Sequence, residues 1–581
     1  MKRNKIFITI ILALLGMLSA CKSDFLDVKP KGVLSVDVLA TADGVDALLI
    51  GAYSMLDGVS SQFSWESASS NWVFGSIRAL EATKGSDAGD QPPVNSLQTF
   101  SEDATNDYLL QTWESIYESI SRCNSAITVN NTALSNGAIT QEQHDLFNMQ
   151  AVALRGWYHF EAWRMWNKIP YVDEKTDALT VKNDVDVRDK IMADLAVGLD
   201  LPLNMGQIGR WNKTVVEAEY ARAEMQMYHD ATHYDDALVK LQDVVATGVK
   251  PDGTAIGLAP TFGEVFDIAN RNGIESIYTV QYSVNDNSGG WNGGYGEVLN
   301  FPYKGNDASP GGCCGFFCPT QEFVNSFRTN NGLPLLDFSY NADPVKNDEG
   351  LAPTDAFTTD AGPLDPRLDW SVGRRGIPYW DWGLMTGSDW IRDQTYSGPY
   401  CAKKEVYKKS QEGKWTEVGN WTSGYTANGY RMIRYADVIL LIAECDLLKS
   451  TPDLTDAIAK INMIRNRAAN PAGFVTMPDN SPAADYVINP YTNADIPDIA
   501  TGIKALQMER KLELGEEGHR WFDLNRWNNT QTELARVLAV EKTNTWGANL
   551  YGNAVVGPNV NLYPIPQRQI DLSNGNITQN R

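Results

Sequence analysis

Apolar side chains return every three or four residues at Trp113, Ile116, Ile120, Cys123 and Ile127. That spacing lines one face of an α-helix. Leu154, Tyr158, Ala162 and Met165 keep the same period within residues 141–167. Shorter helices are predicted over about residues 41–56 and 184–200, the second stopped by Pro202. Ala218, Ala221, Met225 and Tyr228 step by three and four, and Tyr234, Ala237, Leu241 and Val244 repeat the pattern after a short turn. Two such helices with small residues at their crossings predict an antiparallel hairpin about one tetratricopeptide repeat long. Val438, Leu441, Cys445 and Leu448, followed by Ala457, Ile461, Ile464 and Ala468, predict another. The expected fold is mainly α: helical hairpins, degenerate rather than strictly repeated, carrying a loop-rich half with a few short strands.

That loop-rich half is expected at about residues 276–428, with helical scaffold on either side at about 41–270 and 430–581 of one domain. Residues 276–282 alternate as a strand does. After them come loops dense in Gly, Pro, Asp, Trp and Tyr. Irregular segments held by a rigid body are where binding residues concentrate.

The N-terminus reads as an address. Lys2, Arg3 and Lys5 precede an apolar run from Ile6 to Leu18, too short for a stable membrane span. The run ends in Leu18-Ser19-Ala20-Cys21, which resembles a bacterial lipobox. Residues 1–20 are expected to be removed and Cys21 to carry the lipid, followed by a tether to about residue 40. The formal charge of −23 over 581 residues opposes nucleic-acid binding. Six Cys remain after Cys21, and Cys313, Cys314 and Cys318 form their one cluster. Its spacing is wrong for zinc, so a local disulfide stiffening a Gly-rich loop is expected. Cys123 and Cys445 fall on apolar helix positions and are expected to be buried thiols.

The run from Glu509 through Glu513, Glu517, Gly518, Arg520, Asp523 and Arg526 to Trp527 strongly resembles the signature of the SusD/RagB family. Asp24-Phe25-Leu26-Asp27 after the lipid Cys, Arg431 to Val438, and the final Leu562-Tyr563-Pro564-Ile565-Pro566 resemble its other landmarks in order. The resemblance covers the mature chain. It implies a SusD-like outer-membrane lipoprotein, facing outward, that binds oligosaccharide and delivers it to a SusC-like TonB-dependent transporter. It implies neither catalysis nor a cofactor. In some members the ligand is a peptide, and that alternative stays open. A secreted glycoside hydrolase is the reading from another class, but no pair of carboxylates is marked as flanking a cleft. The resemblance assigns no individual binding residue.

The signature's charges, three and four residues apart among Trp521, Leu524 and Trp527, are expected to be structural ion pairs. His229 and His233 have the spacing of a zinc pair, but fall where one helix turns into the next. Glycan binding calls for aromatic faces against sugar C–H faces and for planar amides or charges against hydroxyls. The candidate ligand residues are therefore Asp87 and Asp90 from one loop, Trp291, Tyr295 and Tyr303 from a second, and Trp382, Trp390 and Arg392 from a third. Their convergence is expected from the family resemblance.

Overall fold

The computed structural model describes residues 35–303, 309–419, 422 and 424–581. The leader, Cys21 and the start of the tether lie outside the described residues.

The helical periods fold as their spacing requires. The first long helices are α1 (Ala42–Tyr53), α2 (Asp107–Ser135) and α3 (Gln141–Trp166). Asn106 caps α2 by accepting the Tyr108 and Leu109 N–H groups, and Thr140 and Gln143 form a capping box on α3. α4 (Arg188–Val197) begins four residues later than predicted, because Asp186 turns back to hold the Arg188 guanidinium and N–H. α5 (Lys213–Met227) and α6 (Ala231–Thr247) are the first predicted hairpin. Ala218, Ala221, Met225, Ala237, Leu241 and Val244 are all fully buried. α7 (Tyr435–Leu448) and α8 (Leu454–Ala468) are the second. α7 packs on α6 and on α9 (Ile499–Leu514), so the hairpins form one stack. α10 (Arg520–Arg526) and α11 (Thr530–Glu541) close it. The architecture is mainly α and tetratricopeptide-like.

Four short strands tie the irregular half to this stack. β1 (Ala82–Gly85) pairs antiparallel with β3 (Phe316–Pro319), Thr83 opposite Cys318. β2 (Ser276–Thr279) pairs antiparallel with β4 (Arg431–Arg434), Ile433 opposite Tyr278. The second pair joins the entry of the loop-rich segment to its exit.

The signature forms the main joint between the two halves. Glu513 of α9 accepts from Arg367 at 3.1 Å, from Arg434 at 2.7 Å and from Arg467. Glu509 pairs with Arg367 and Arg465, and Glu517 with Arg434 and Lys404. Arg434 and Arg467 also share Glu275 at the entry of the loop-rich segment. Arg510 bridges Asp437 and Asp523, while Arg526 reaches Asp523 and Glu444. Burial alone would raise the Glu513 carboxyl, but three guanidiniums outweigh it and hold the group well below the carboxylate range. The same balance holds Glu517 at about 2. Gly518 sits at φ +79°, where a Cβ would lie 1.9 Å from the Ser70 carbonyl oxygen. These charges are structural, as expected, but within the signature only Asp523 and Arg526 pair at the three-residue spacing, and most partners come from distant segments.

Candidate functional site

The structure sorts the eight candidate ligand residues into three places. Asp87, Asp90, Tyr303 and Arg392 come together. One Arg392 nitrogen meets Asp87 at 2.7 Å, and another meets Asp90 at 2.6 Å and donates to Ser86 Oγ at 2.8 Å. The guanidinium lies 5.5 Å from the Tyr303 ring centre. Lys84 donates to the backbone oxygens of Asp87 and Asp90, drawing the loop shut. Burial pulls the Lys84 ammonium down to about 8, with Asp90 and Asp87 opposing the fall. Arg392 therefore spends its fork on the loop's own acids. Each of the three side chains keeps about a third of its surface in solvent.

Trp291 and Tyr295 build a second group. Their rings stack at 4.6 Å and 20°. Tyr295 also stacks on Trp65 at 5.6 Å and on Tyr425 at 5.8 Å. The result is a column of rings that ends outward at Trp291, which is 48% exposed. The tight turn Gly294–Gly296 that carries Tyr295 is held by the Trp72 indole N–H, which donates to the Gly296 carbonyl. Trp65 stands in the short turn Trp65–Ser67, and nothing in its spacing ties it to Tyr295. Tyr425 stands in a two-residue strand with no periodic signal at all.

Trp382 and Trp390 go elsewhere, and Trp390 requires a correction. It is 2% exposed, edge-on to Tyr379 at 5.1 Å, in a cluster with Phe301, Ile391 and Tyr407. A buried indole offers no face to a sugar: this Trp anchors its loop. Trp382 is half-buried, its indole N–H donating to the Tyr407 carbonyl at 2.9 Å.

A cleft of about 530 Å³ opens beside Trp291. One wall is the end of α1 and the turn after it, from Tyr53 to Ser61. The other is β2 and its extension, with Gln281, Ser283 and Asn292. Asp57 lies in this cleft. Burial pushes its carboxyl up to about 7 against the Val59 N–H it accepts, and nearby Glu297 adds to the rise. No sequence pattern marked this cleft, because its walls lie more than two hundred residues apart.

The remaining motifs resolve as local structure. Asp230 caps α6 and its carboxylate holds His233 Nδ1 at 2.7 Å, while that ring stacks on Tyr228. Among the described residues no group of three or more His, Cys, Asp or Glu is placed to hold a metal. Cys313 and Cys314 pair with each other in the Gly-rich loop, and Cys123, Cys318, Cys401 and Cys445 are buried free thiols.

Stacked helical hairpins thus present a loop-built aromatic surface and a polar cleft. Residues 274–581 match the SusD family, and residues 24–223 match a family described as starch-binding and associating with the outer membrane. The chain belongs to the SusD family. SusD-like protein P38 of Formosa agariphila is 24% identical over 547 residues, covering 89% of this chain and 90% of that one. Surface glycan-binding protein A from Bacteroides fluxus superposes with a TM-score of 0.66 at 21% identity, over 93% of this chain and 99% of that one. Surface glycan-binding protein A from Bacteroides thetaiotaomicron, solved with laminarihexaose, gives a TM-score of 0.61 at 21% identity, with the same coverage. The family assignment sets aside the hydrolase reading. Among the described residues no helix is long and apolar enough to cross a membrane.

Proposed function

We propose that this protein is a lipid-anchored outer-membrane protein, facing outward, that binds oligosaccharide and passes it to a SusC-like TonB-dependent transporter. The observation that carries the binding reading is the ring column Trp65–Tyr295–Trp291, with Tyr425 beside it and its outermost indole open to solvent. A pre-stacked indole offers a flat apolar plane at small ordering cost, which suits the C–H face of a sugar ring. The glycan ligands of structurally similar proteins support the same reading. Asp87, Asp90 and Arg392, paired with one another, keep exposed edges that can meet hydroxyls.

Calorimetric titration with a panel of hexaoses, laminarihexaose included, tests this. Trp291→Ala is expected to weaken the best ligand roughly two- to tenfold, the loss of one aromatic contact. The melting temperature should stay unchanged, since the ring is half exposed. Binding of peptides with no hexaose bound would replace the glycan reading with the peptide one. For the anchor, Cys21→Ala is expected to move the protein from the membrane fraction to the soluble one, because a single lipidated residue is the proposed tether. Protease added to intact cells should degrade the wild type; full protection would overturn the outward orientation.

A further inference from the structure

We infer that the cleft between Trp291 and the turn after α1 seats the ligand, and that the ligand is an uncharged oligosaccharide. This rests on the glycan reading above and specifies its chemistry. The volume, about 530 Å³, lies in the range of sites that enclose small ligands. Trp291 supplies one wall. One face of its indole is covered by Tyr295 at 4.6 Å, and the side chain lines the cleft. Ser60, Ser61, Gln281 and Asn292 place hydroxyl and amide groups around the opening, the inventory that neutral hydroxyls require.

The charge pattern supplies the specificity. No Lys or Arg lines the cleft. The nearest guanidiniums are engaged: Arg210 holds Asp46 at 2.7 Å against the Tyr53 ring, and Arg122 holds Glu118 and the Gly51 carbonyl. Asp57 is the one ionisable acid on the wall, and Asp286 stands just behind, accepting from Ser283 and Asn292. A uronate or sulfate entering here would lose water and meet acids, Asp57 and Asp286, beside cations already paired elsewhere. The cation in the candidate set, Arg392, is committed to Asp87 and Asp90. A neutral chain meets none of these penalties.

The test compares purified protein titrated with neutral hexaoses (laminari-, cello- and maltohexaose) and with a hexagalacturonate at low ionic strength. The best neutral hexaose is expected to bind at least about tenfold tighter than the uronate. Ser61→Trp, which fills the cleft from an exposed position, should weaken the neutral ligand about tenfold or more with unchanged melting. Gln281→Lys, also at an exposed position, should narrow the gap between neutral and uronate chains. Equal affinity for the uronate overturns the neutral specificity. Native affinity in Ser61→Trp overturns the cleft and leaves the glycan reading standing. If no hexaose binds the wild type, the glycan reading itself falls.

Discussion

Replacing Glu513 with Ala is expected to lower the free energy of unfolding by about 3–5 kcal/mol, the loss typical when one partner of a buried ion pair is removed. The carboxylate is fully buried and faces Arg367, Arg434 and Arg467. Truncation leaves those guanidiniums beside Glu275, Glu509 and Glu517 alone, in a space without water to replace the lost oxygens. Denaturant unfolding measures the change. An unchanged midpoint with lost ligand binding would show that the signature serves the site rather than the fold. The wild type carries the same prediction in its pH dependence. The Glu513 carboxyl is depressed in the folded state, so its contribution is complete above the ordinary value of 4.5 and is lost as pH falls toward the depressed one. Glu517, at about 2, acts in the same direction. Wild-type stability should fall steeply below about pH 4.5, and Glu513→Gln should flatten that fall.

Trp390→Ala is expected to cost about 3–5 kcal/mol as well, for a different reason. The ring fills space against Tyr379, Phe301 and Tyr407, and its removal opens a cavity that rigid neighbours cannot close. Trp291→Ala should leave the melting curve in place. Thermal melts of the two single variants side by side separate an anchoring indole from a binding one. A Trp390→Ala protein that melts like the wild type would return that ring to the list of ligand faces.

The helices were legible because burial in a hairpin stack imposes a period of three to four residues. Ala457 to Ile464 show that period in their burial, while Ala218 to Met225 show it in their apolar residues on a helix buried almost all round. The signature's structural role was legible for a related reason: charges interleaved with Trp and Leu have to be paired where they are buried, here along α9, the turn after it and α10. The site was less so. Trp291 and Trp390 stand in loops of similar composition, yet one is half exposed and the other is 2% exposed. Composition reports what a loop contains, and only the path of the chain decides which side of it faces water. The union of Arg392 with Asp87 and Asp90 follows from chemistry anyone would pair, but their distance in sequence leaves the pairing to the fold. The cleft had no signature, since serines and a lone Asp near a helix end are unremarkable until a distant strand is laid beside them.

The buried charges also bear on which segments of the chain can vary. Arg367 and Lys404 both reach α9 and the turn that follows it: Arg367 holds Glu509 and Glu513, while Lys404 holds the carbonyls of Glu513 and Gly515. Residues 368–403 therefore leave the scaffold and return to it at nearly one place. A closed excursion of that kind can lengthen at small entropic cost, about 0.6 kcal/mol per doubling. A replacement segment has to bring its own packed interior, as Trp390 does for this one, and it can then carry new side chains outward. Insertion between the two anchors becomes a route to new outward side chains, provided the segment keeps its other ties to the scaffold, Asp369 to Tyr486, Trp370 to Gly473 and Ser397 to Thr83.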